Sequence, residues 1–237
     1  WKTVLNYTIS KNNPDWYSSM GATAEAVANE YGITRDEQDL FAFNSHQKAT
    51  EAIKNGLFKE EIVPIHVKEV YMDSAGKRKE RTFTVDTDEG PRADTNLAAL
   101  AKLKPVFSAK GSVTAGNSSQ ITDGAAAILL TRRDVAVKLG CKIYGRILSF
   151  AVAGVPPKVM GIGPAFAIPA ALSKAGLTIN DIDIFEINEA FAVQVIAFLD
   201  HFGIADDDPR VNPYGGAIAV GHPLASSGVR LMLNLAR

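Results

Sequence analysis

The histidine at position 222 is the residue of this chain best placed to take part in chemistry. It stands between Gly221 and Pro223, and proline disfavours helix at the residue before it, so we expect the imidazole on an extended backbone of restricted freedom. The apolar run 217–220, flanked by glycines, predicts a buried strand, and the pattern from residue 229 onward predicts a helix. A histidine at this junction can transfer protons near neutral pH. It can equally be a turn residue that caps a backbone carbonyl.

A second polar residue, Asn188, follows another predicted strand, residues 181–187. As a helix cap, it would need no further explanation. Its amide could also orient a water molecule or a substrate oxygen, because open α/β sheets bind their ligands beyond the carboxyl ends of the strands. Since His222 occupies an equivalent junction, a shared site is more plausible than either residue alone. From the residues, the hypothesis is an α/β enzyme that uses Asn188 and His222.

Other chemistry-bearing residues give weaker signals. Glu186 and Glu189 straddle the same strand end and could act as acid or base or form structural hydrogen bonds. Cys141 is interpreted as a small buried hydrophobe, because neither a helix N-terminus nor a base adjoins it. The basic run 77–81 is either a solvated face or a contact for an anionic ligand such as a nucleotide phosphate. The sequence has no metal-ligand spacing, phosphate-binding loop or serine nucleophile motif, so no metal site is predicted.

Composition narrows the class of protein. Twenty-five basic and 26 acidic residues give a net charge of −1, which argues against nucleic acid and anionic membranes as partners. No apolar run approaches membrane-spanning length. The single cysteine excludes an internal disulfide, which fits a reducing intracellular compartment or a protein that is indifferent to oxidation. The chain starts without methionine, at a Trp1-Lys2-Thr3 sequence unlike a signal peptide, and stops at Arg237 inside a helical pattern, which suggests a fragment.

The elements that must position these residues change in character near residue 110. Before it, Thr34 and Glu37 form a capping-box pattern at the start of a long helix, and residues 62–71 and 81–85 alternate as two strands of a hairpin. After it, strands are predicted at 125–130, 143–153, 181–187 and 217–220, and helices at 133–139, 164–175, 189–202 and from 229 onward. This alternation predicts an α/β fold, with a layered core at 111–237 and a helix-and-hairpin domain at 1–110.

Several blocks of the sequence resemble the signatures of the thiolase family, in the expected order and over essentially the whole chain. They are Met20-Gly21-x-Thr23-Ala24-Glu25, Ala115-Gly116-Asn117-Ser118-Ser119, Asp123-Gly124-Ala125-Ala126, Met160-Gly161-Ile162-Gly163-Pro164, Asn188-Glu189-Ala190-Phe191 and Gly215-Gly216-Ala217-Ile218-Ala219-Val220-Gly221-His222-Pro223. The stretch 117–191 looks most like degradative 3-ketoacyl-CoA thiolases of the peroxisomal type. The resemblance implies two similar α/β halves with a loop domain inserted in the first. On that basis residues 1–110 are the loop domain on the coenzyme A side, and residues 111–237 are the truncated second half of the core.

The resemblance also implies roles for individual residues. His222 would activate a nucleophilic cysteine and help form an oxyanion hole, and Asn188 would hold the water that completes it. Coenzyme A would be a co-substrate rather than a covalently bound cofactor. Its matching positions are Met20, Arg92, Phe107, Ala115, Ser119, Met160, Ala190 and Phe191. Taken without the resemblance, Phe107, Met160 and Phe191 would be core residues and Arg92 a surface charge.

The implied activity is thiolysis of 3-ketoacyl-CoA to acetyl-CoA and a shortened acyl-CoA, as in fatty acid β-oxidation. The alternatives are a biosynthetic acetyl-CoA C-acetyltransferase and a non-catalytic, coenzyme A-binding subunit. The family's nucleophilic and acid–base cysteines would lie outside this chain, and Cys141 matches neither, so these 237 residues alone are expected to be inactive. By this resemblance we expect a homodimer or a homotetramer. We expect it in the peroxisome or mitochondrial matrix if the source is a eukaryote, and in the cytoplasm if it is a bacterium. Ala225 replaces the family's usual glycine and would strain the turn if its φ were positive.

Overall fold

Nine α-helices and one two-stranded sheet make up the regular structure of residues 4–236, which a computed structural model describes. Residues 1–3 and Arg237 lie outside the described residues, together with the predictions made for them. The helices are α1 (Tyr7–Asn12), α2 (Met20–Tyr31), α3 (Arg35–Lys54), α4 (Leu97–Leu100), α5 (Arg133–Lys138), α6 (Gly163–Ala175), α7 (Ala192–Phe202), α8 (Ala217–Val220) and α9 (Ser227–Leu235). Short 3₁₀ helices span Pro14–Tyr17, Pro157–Ile162 and Ile179–Asp181. Within residues 4–236, no helix is both long and apolar enough to cross a bilayer.

Local sequence explains the longest helix and the sheet. Thr34 and Glu37 cap the start of α3 reciprocally, as the capping-box pattern predicted. Strands β1 (Ile65–Met72) and β2 (Arg78–Val85) pair antiparallel, with Ile65 opposite Val85. The carboxylate of Asp73 accepts hydrogen bonds from the backbone of Ala75 and Lys77 and closes the turn between them. The predicted hairpin is therefore confirmed.

Helix α7 is the centre of the core. Val193, Val195, Phe198 and Leu199 each have 0% of their surface exposed. Each fully buried side chain of this size stabilises the fold by roughly 1.5–3 kcal/mol. Helices α2, α3 and α6 pack against α7. Because residue 188 comes just before α7, the core fixes one edge of the candidate site.

The prediction of four paired strands in the core is wrong. Residues 217–220 form helix α8 instead, because an apolar run this short does not distinguish a strand from a buried helical turn. Residues 125–130 and 143–153 form neither a helix nor a strand, and no described strand pairs with either run. Within 181–187, the one ladder contact among described residues is a parallel bridge between Phe185 and Val211. A strand is stabilised by its neighbours, which local sequence does not reveal.

Candidate functional site

The structure brings the side chains of Asn188 and His222 together. Nδ2 of Asn188 lies 3.4 Å from Nε2 of His222. Both residues are half-buried, so solvent reaches the site while much of the surrounding water is excluded. The elements around them differ from the prediction. Asn188 does not cap a helix, because α7 begins only at Ala192, and His222 follows helix α8 rather than a strand.

Gly221 sets the direction of the backbone that carries His222. Its φ is +96°, a conformation that side chains disfavour, and a Cβ atom there would lie 2.2 Å from Oγ1 of Thr122. The side chain of Gln120 donates to the carbonyls of Gly90, Ile218 and Ala219, at 3.2–3.3 Å. It therefore ties the residues before His222 to a second loop. These positioning roles of Gln120 and Thr122 were missed, because they depend on contacts between distant segments.

The other imidazole nitrogen of His222 contacts Ser227, at the start of α9. Nδ1 lies 2.6 Å from Oγ of Ser227. Burial lowers the pKa of His222, and the positive charge of Arg230 lowers it further. The imidazole is therefore predominantly neutral at pH 7, the state a general base requires.

Asn212 positions the backbone next to Asn188. Its side-chain oxygen accepts from the N–H of Ile187 at 2.7 Å, and its amide nitrogen donates to the Ile187 carbonyl at 2.9 Å. Asn212 has a φ of +41° and is the one non-glycine residue of the described chain in the left-handed region. Gln194 adds a hydrogen bond of 3.2 Å to the carbonyl of Asn188. The Oδ1 atom of Asn188 is buried and has no hydrogen-bond partner in the described protein, so it is free to hold a small donor such as water.

Glu189 forms a buried hydrogen-bond network next to Asn188 in the chain. Its carboxylate accepts from Oγ of Ser45 at 2.6 Å, from Nδ2 of Asn212 at 2.8 Å and from the N–H of Ile218 at 3.2 Å. The same serine hydroxyl accepts from the N–H of Gly216 at 3.0 Å. Desolvation raises the pKa of Glu189, and the hydrogen bonds from Ser45 and Asn212 oppose this rise. The geometry thus supports the structural alternative for Glu189.

Glu186 has a different environment. Desolvation is the main cause that raises its pKa to about 7, while a 3.4 Å hydrogen bond from Asn234 acts in the opposite direction. Its partly buried carboxyl group therefore titrates near neutral pH. Residues 4–236 hold no cluster of three or more histidine, cysteine, aspartate or glutamate side chains arranged for a metal ion.

Four of the predicted coenzyme A positions form one surface next to Asn188. The rings of Phe107 and Phe191 meet edge to face, with centroids 6.0 Å apart. The N–H of Ser119 donates to the carbonyl of Ala190 at 2.9 Å. These contacts place residues 107, 119 and 190–191 side by side. The coenzyme A positions predicted in separate parts of the sequence are therefore neighbours in the structure.

The remaining four predicted positions lie on other elements. Met20 begins α2 and is 50% exposed, and Met160 lies on the 3₁₀ helix Pro157–Ile162 and is 46% exposed, so neither is a core residue. Ala115 is exposed on the loop before Ser119. Arg92 is exposed, and its backbone N–H donates to Nδ1 of the buried His46 at 3.1 Å. Gly21, directly after Met20, lies against Phe107: a Cβ atom on Gly21 would be 2.2 Å from the ring.

Two sequence interpretations need correction. Cys141 is exposed and follows the C-terminal end of α5, so it is not a buried hydrophobe. Ala225 is not among the described residues with a positive φ, so it does not strain the turn after His222.

Comparisons with known proteins show the family of the chain. The chain matches the sequence model of the thiolase N-terminal domain over residues 5–134 and that of the thiolase C-terminal domain over residues 141–237. The rat protein named 3-ketoacyl-CoA thiolase B, peroxisomal, is 56% identical over 216 residues, which are 91% of this chain and 50% of that protein. The 3-ketoacyl-CoA thiolase of Bacillus subtilis is 50% identical over 233 residues, which are 98% of this chain and 59% of that protein. The chain therefore spans about half the length of the curated relatives it matches.

Solved structures confirm the predicted thiolase-like α/β fold. The dimeric peroxisomal thiolase of Saccharomyces cerevisiae superposes with a TM-score of 0.86 at 43% identity, over 99% of this chain and 56% of that chain. The acetyl-CoA acetyltransferase of Bacillus anthracis gives a TM-score of 0.83 at 44% identity, over 92% of this chain and 52% of that chain. Sequence and structure thus agree along both matched domains, and the chain belongs to the thiolase family.

Proposed function

We propose that the protein containing this chain is an acyltransferase that cleaves 3-ketoacyl-CoA by thiolysis, as in fatty acid β-oxidation. The observation that carries the proposal is the pairing of His222 Nε2 with the Asn188 side chain at 3.4 Å, beside a buried and unpartnered Asn188 oxygen. The names of the rat and Bacillus subtilis relatives support the same activity. The products are acetyl-CoA and an acyl-CoA shortened by two carbons.

The chemistry assigns His222 the role of general base. Its neutral imidazole takes the proton of a cysteine thiol supplied by the rest of the full-length protein, and the resulting thiolate attacks the ketone carbon. The bond between the second and third carbons then breaks, and the acetyl-CoA enolate that leaves takes a proton from an acid group. The shortened acyl group, now a cysteine thioester, is transferred to the sulfur of an incoming coenzyme A. The proton of that thiol restores the acid group, and the cysteine leaves as a thiolate that recovers its proton from His222. Each acyl transfer places negative charge on a carbonyl oxygen.

Asn188 contributes to stabilising that oxyanion. Its unpartnered Oδ1 atom accepts from a water molecule, and the water's second hydrogen points to the developing charge. Nε2 of His222, once protonated, donates to the same charge. An arrangement of fixed donors in a partly desolvated site stabilises a transition state without reorganising.

Coenzyme A binds as a co-substrate on the surface next to this pair. Residues 1–110, the loop domain, supply Met20, Arg92 and Phe107, and residues 111–237, the core half, supply Ala115, Ser119, Met160, Ala190 and Phe191. The half-exposed Met20, Phe107 and Met160 offer apolar surface for the pantetheine arm. The Ser119 hydroxyl hydrogen-bonds a pantetheine amide, and the exposed guanidinium of Arg92 pairs with a phosphate of the nucleotide end.

The assembly is a homo-oligomer, most simply a dimer. The description of the yeast structure as dimeric supports this part of the proposal. The compartment is a reducing one: the peroxisome or mitochondrial matrix if the source is a eukaryote, or the cytoplasm if it is a bacterium. The single exposed cysteine is compatible with such a compartment.

A thiolysis assay on the full-length protein tests the proposal. We expect coenzyme A-dependent loss of 3-ketoacyl-CoA, a fall in kcat of about 10²–10⁴-fold for His222→Asn and of about 10²-fold for Asn188→Ala. His201→Asn is the matched control, because His201 is exposed on α7 and lies outside the site. A wild-type protein that consumes no 3-ketoacyl-CoA would refute the proposal.

The structural likeness to an acetyl-CoA acetyltransferase makes the biosynthetic direction the second candidate. Substrate length separates the two activities. A degradative enzyme cleaves long 3-ketoacyl-CoA chains. A biosynthetic acetyltransferase would instead cleave only acetoacetyl-CoA, or form it by condensing two molecules of acetyl-CoA. A full-length protein without the nucleophilic cysteine would instead indicate a non-catalytic, coenzyme A-binding subunit.

A further inference from the structure

Ser227 makes two contacts through one hydroxyl group. Its Oγ atom lies 2.6 Å from Nδ1 of His222 and 3.2 Å from the carbonyl oxygen of Pro223. The residue is only 3% exposed, so water does not replace either partner easily. The same carbonyl also accepts from the N–H groups of Ser226 and Ser227, at 2.8 and 3.0 Å, and from Oγ of Ser226 at 3.2 Å.

These contacts determine where the imidazole carries its proton. The Ser227 hydroxyl donates to the Pro223 carbonyl at 3.2 Å, which leaves lone pairs on Oγ to face His222. The contact with His222 then requires Nδ1–H to donate to Oγ. On the opposite side of the ring, the Asn188 amide nitrogen donates to Nε2 at 3.4 Å, which also requires a lone pair on Nε2. Two contacts on different elements thus select the same tautomer.

Resting on the proposed function, we propose that Ser227 is a positioning residue that holds His222 in the Nδ1–H tautomer. This tautomer keeps Nε2 unprotonated before the substrate binds, so the thiol can transfer its proton there in place of the long 3.4 Å contact with Asn188. When Nε2 gains the thiol proton, the imidazolium donates more strongly from Nδ1, and Oγ of Ser227 remains its acceptor. Arg230 is the charged group that acts on His222, and a change at Ser227 leaves it in place.

The test compares Ser227→Ala, Ser227→Thr and Ser226→Ala in the full-length protein with ¹⁵N-labelled histidine. Ser226→Ala is the matched control, because it removes a hydroxyl from the same carbonyl without touching His222. Long-range ¹H–¹⁵N spectra report which ring nitrogen is protonated, and the His222 signals are those lost in His222→Asn. We expect wild type, Ser226→Ala and Ser227→Thr to show Nδ1–H, and Ser227→Ala to show a mixture with Nε2–H.

The kinetic readout is independent of the spectra. We expect kcat to fall about 10-fold in Ser227→Ala with little change in KM, which corresponds to losing about one hydrogen bond. Ser227→Thr should restore it. Two results would overturn the proposal: a wild-type spectrum with the proton on Nε2, or a Ser227→Ala spectrum identical to that of wild type. The first result needs no variant, so the test holds even if Ser227→Ala folds poorly. The spectra do not require turnover. If the wild-type protein shows the proton on Nδ1 of His222 but does not cleave 3-ketoacyl-CoA, that result counts against the proposed activity and not against the role of Ser227.

Discussion

Glu189 gives the sharpest prediction about how the site is held. We expect Glu189→Gln to lower both the stability of the protein and its kcat. The carboxylate, 1% exposed, accepts from three donors, and two of them, Nδ2 of Asn212 and the N–H of Ile218, cannot accept from an amide NH₂ group. A glutamine side chain keeps one acceptor oxygen and directs its NH₂ group at a donor that previously had a partner.

The magnitude follows from the hydrogen bonds. Losing one charged hydrogen bond and leaving its donor buried costs about 2–3 kcal/mol. Removing the buried charge offsets part of this, so we expect a net loss of about 1–3 kcal/mol. Glu189→Ala, which leaves all three donors unpaired and opens a cavity, should cost about 3–5 kcal/mol.

Urea unfolding and steady-state kinetics of the full-length protein measure the two effects. Glu25→Gln is the matched control, because Glu25 is also buried and accepts from two backbone groups, those of Ser112 and Val113, at 3.0 Å. We expect it to lose similar stability but to retain kcat, since none of its hydrogen bonds reaches the 188 or 218 segments. Equal kcat in Glu189→Gln and wild type, or a loss of stability below about 0.5 kcal/mol, would refute the role given to Glu189.

Three further predictions concern the surroundings of the site. Gly21→Ala should displace the Phe107 ring, destabilise the protein by about 1–3 kcal/mol and raise KM for coenzyme A more than it lowers kcat; an unchanged KM would contradict the placement of coenzyme A on this surface. The pKa of Glu186 is higher in the folded state, at about 7, than its ordinary 4.5, so its contribution to stability should fall as the pH rises between these values. The full pKa shift corresponds to about 3 kcal/mol in the free energy of unfolding. Because the group is partly exposed, we expect about 1–2 kcal/mol of this. Urea titrations at several pH values should show that Glu186→Gln abolishes this part of the pH dependence. Because Arg230 lowers the pKa of His222, Arg230→Met should raise that pKa and move the acidic limb of kcat/KM to higher pH; a shift to lower pH would contradict the role given to this charge.

The sequence predicted the proximity of Asn188 and His222 better than the elements that carry them. Asn188 and His222 were identified because each polar residue follows an apolar run, and the structure does place them together. Residues 217–220 were nevertheless assigned to a strand, since the pattern of four apolar residues is shared by a helical turn. The run 143–153 has strand-like composition, but its pairing depends on neighbours that local sequence does not show.

The sequence did not predict most of the residues that support Asn188 and His222. Nothing in the local sequence indicates that the hydroxyl of Ser227 reaches Nδ1 of His222. Ser45 lies in the middle of α3, where a serine has no evident function until Glu189 is found beside it. By contrast, Thr34 and Glu37 were predicted correctly, because a capping box is a contact between residues only three positions apart.

The hydrogen bonds of Ser45 also bear on how the protein folds. They join residues 144 and 171 positions apart in the chain, to Glu189 and Gly216. Closing loops of this length costs conformational entropy before any contact compensates for it, so these bonds form late in folding. Helix α7 can develop earlier from local contacts and hydrophobic burial. We therefore expect Asn188 and His222 to come together only as the most distant segments of the chain meet.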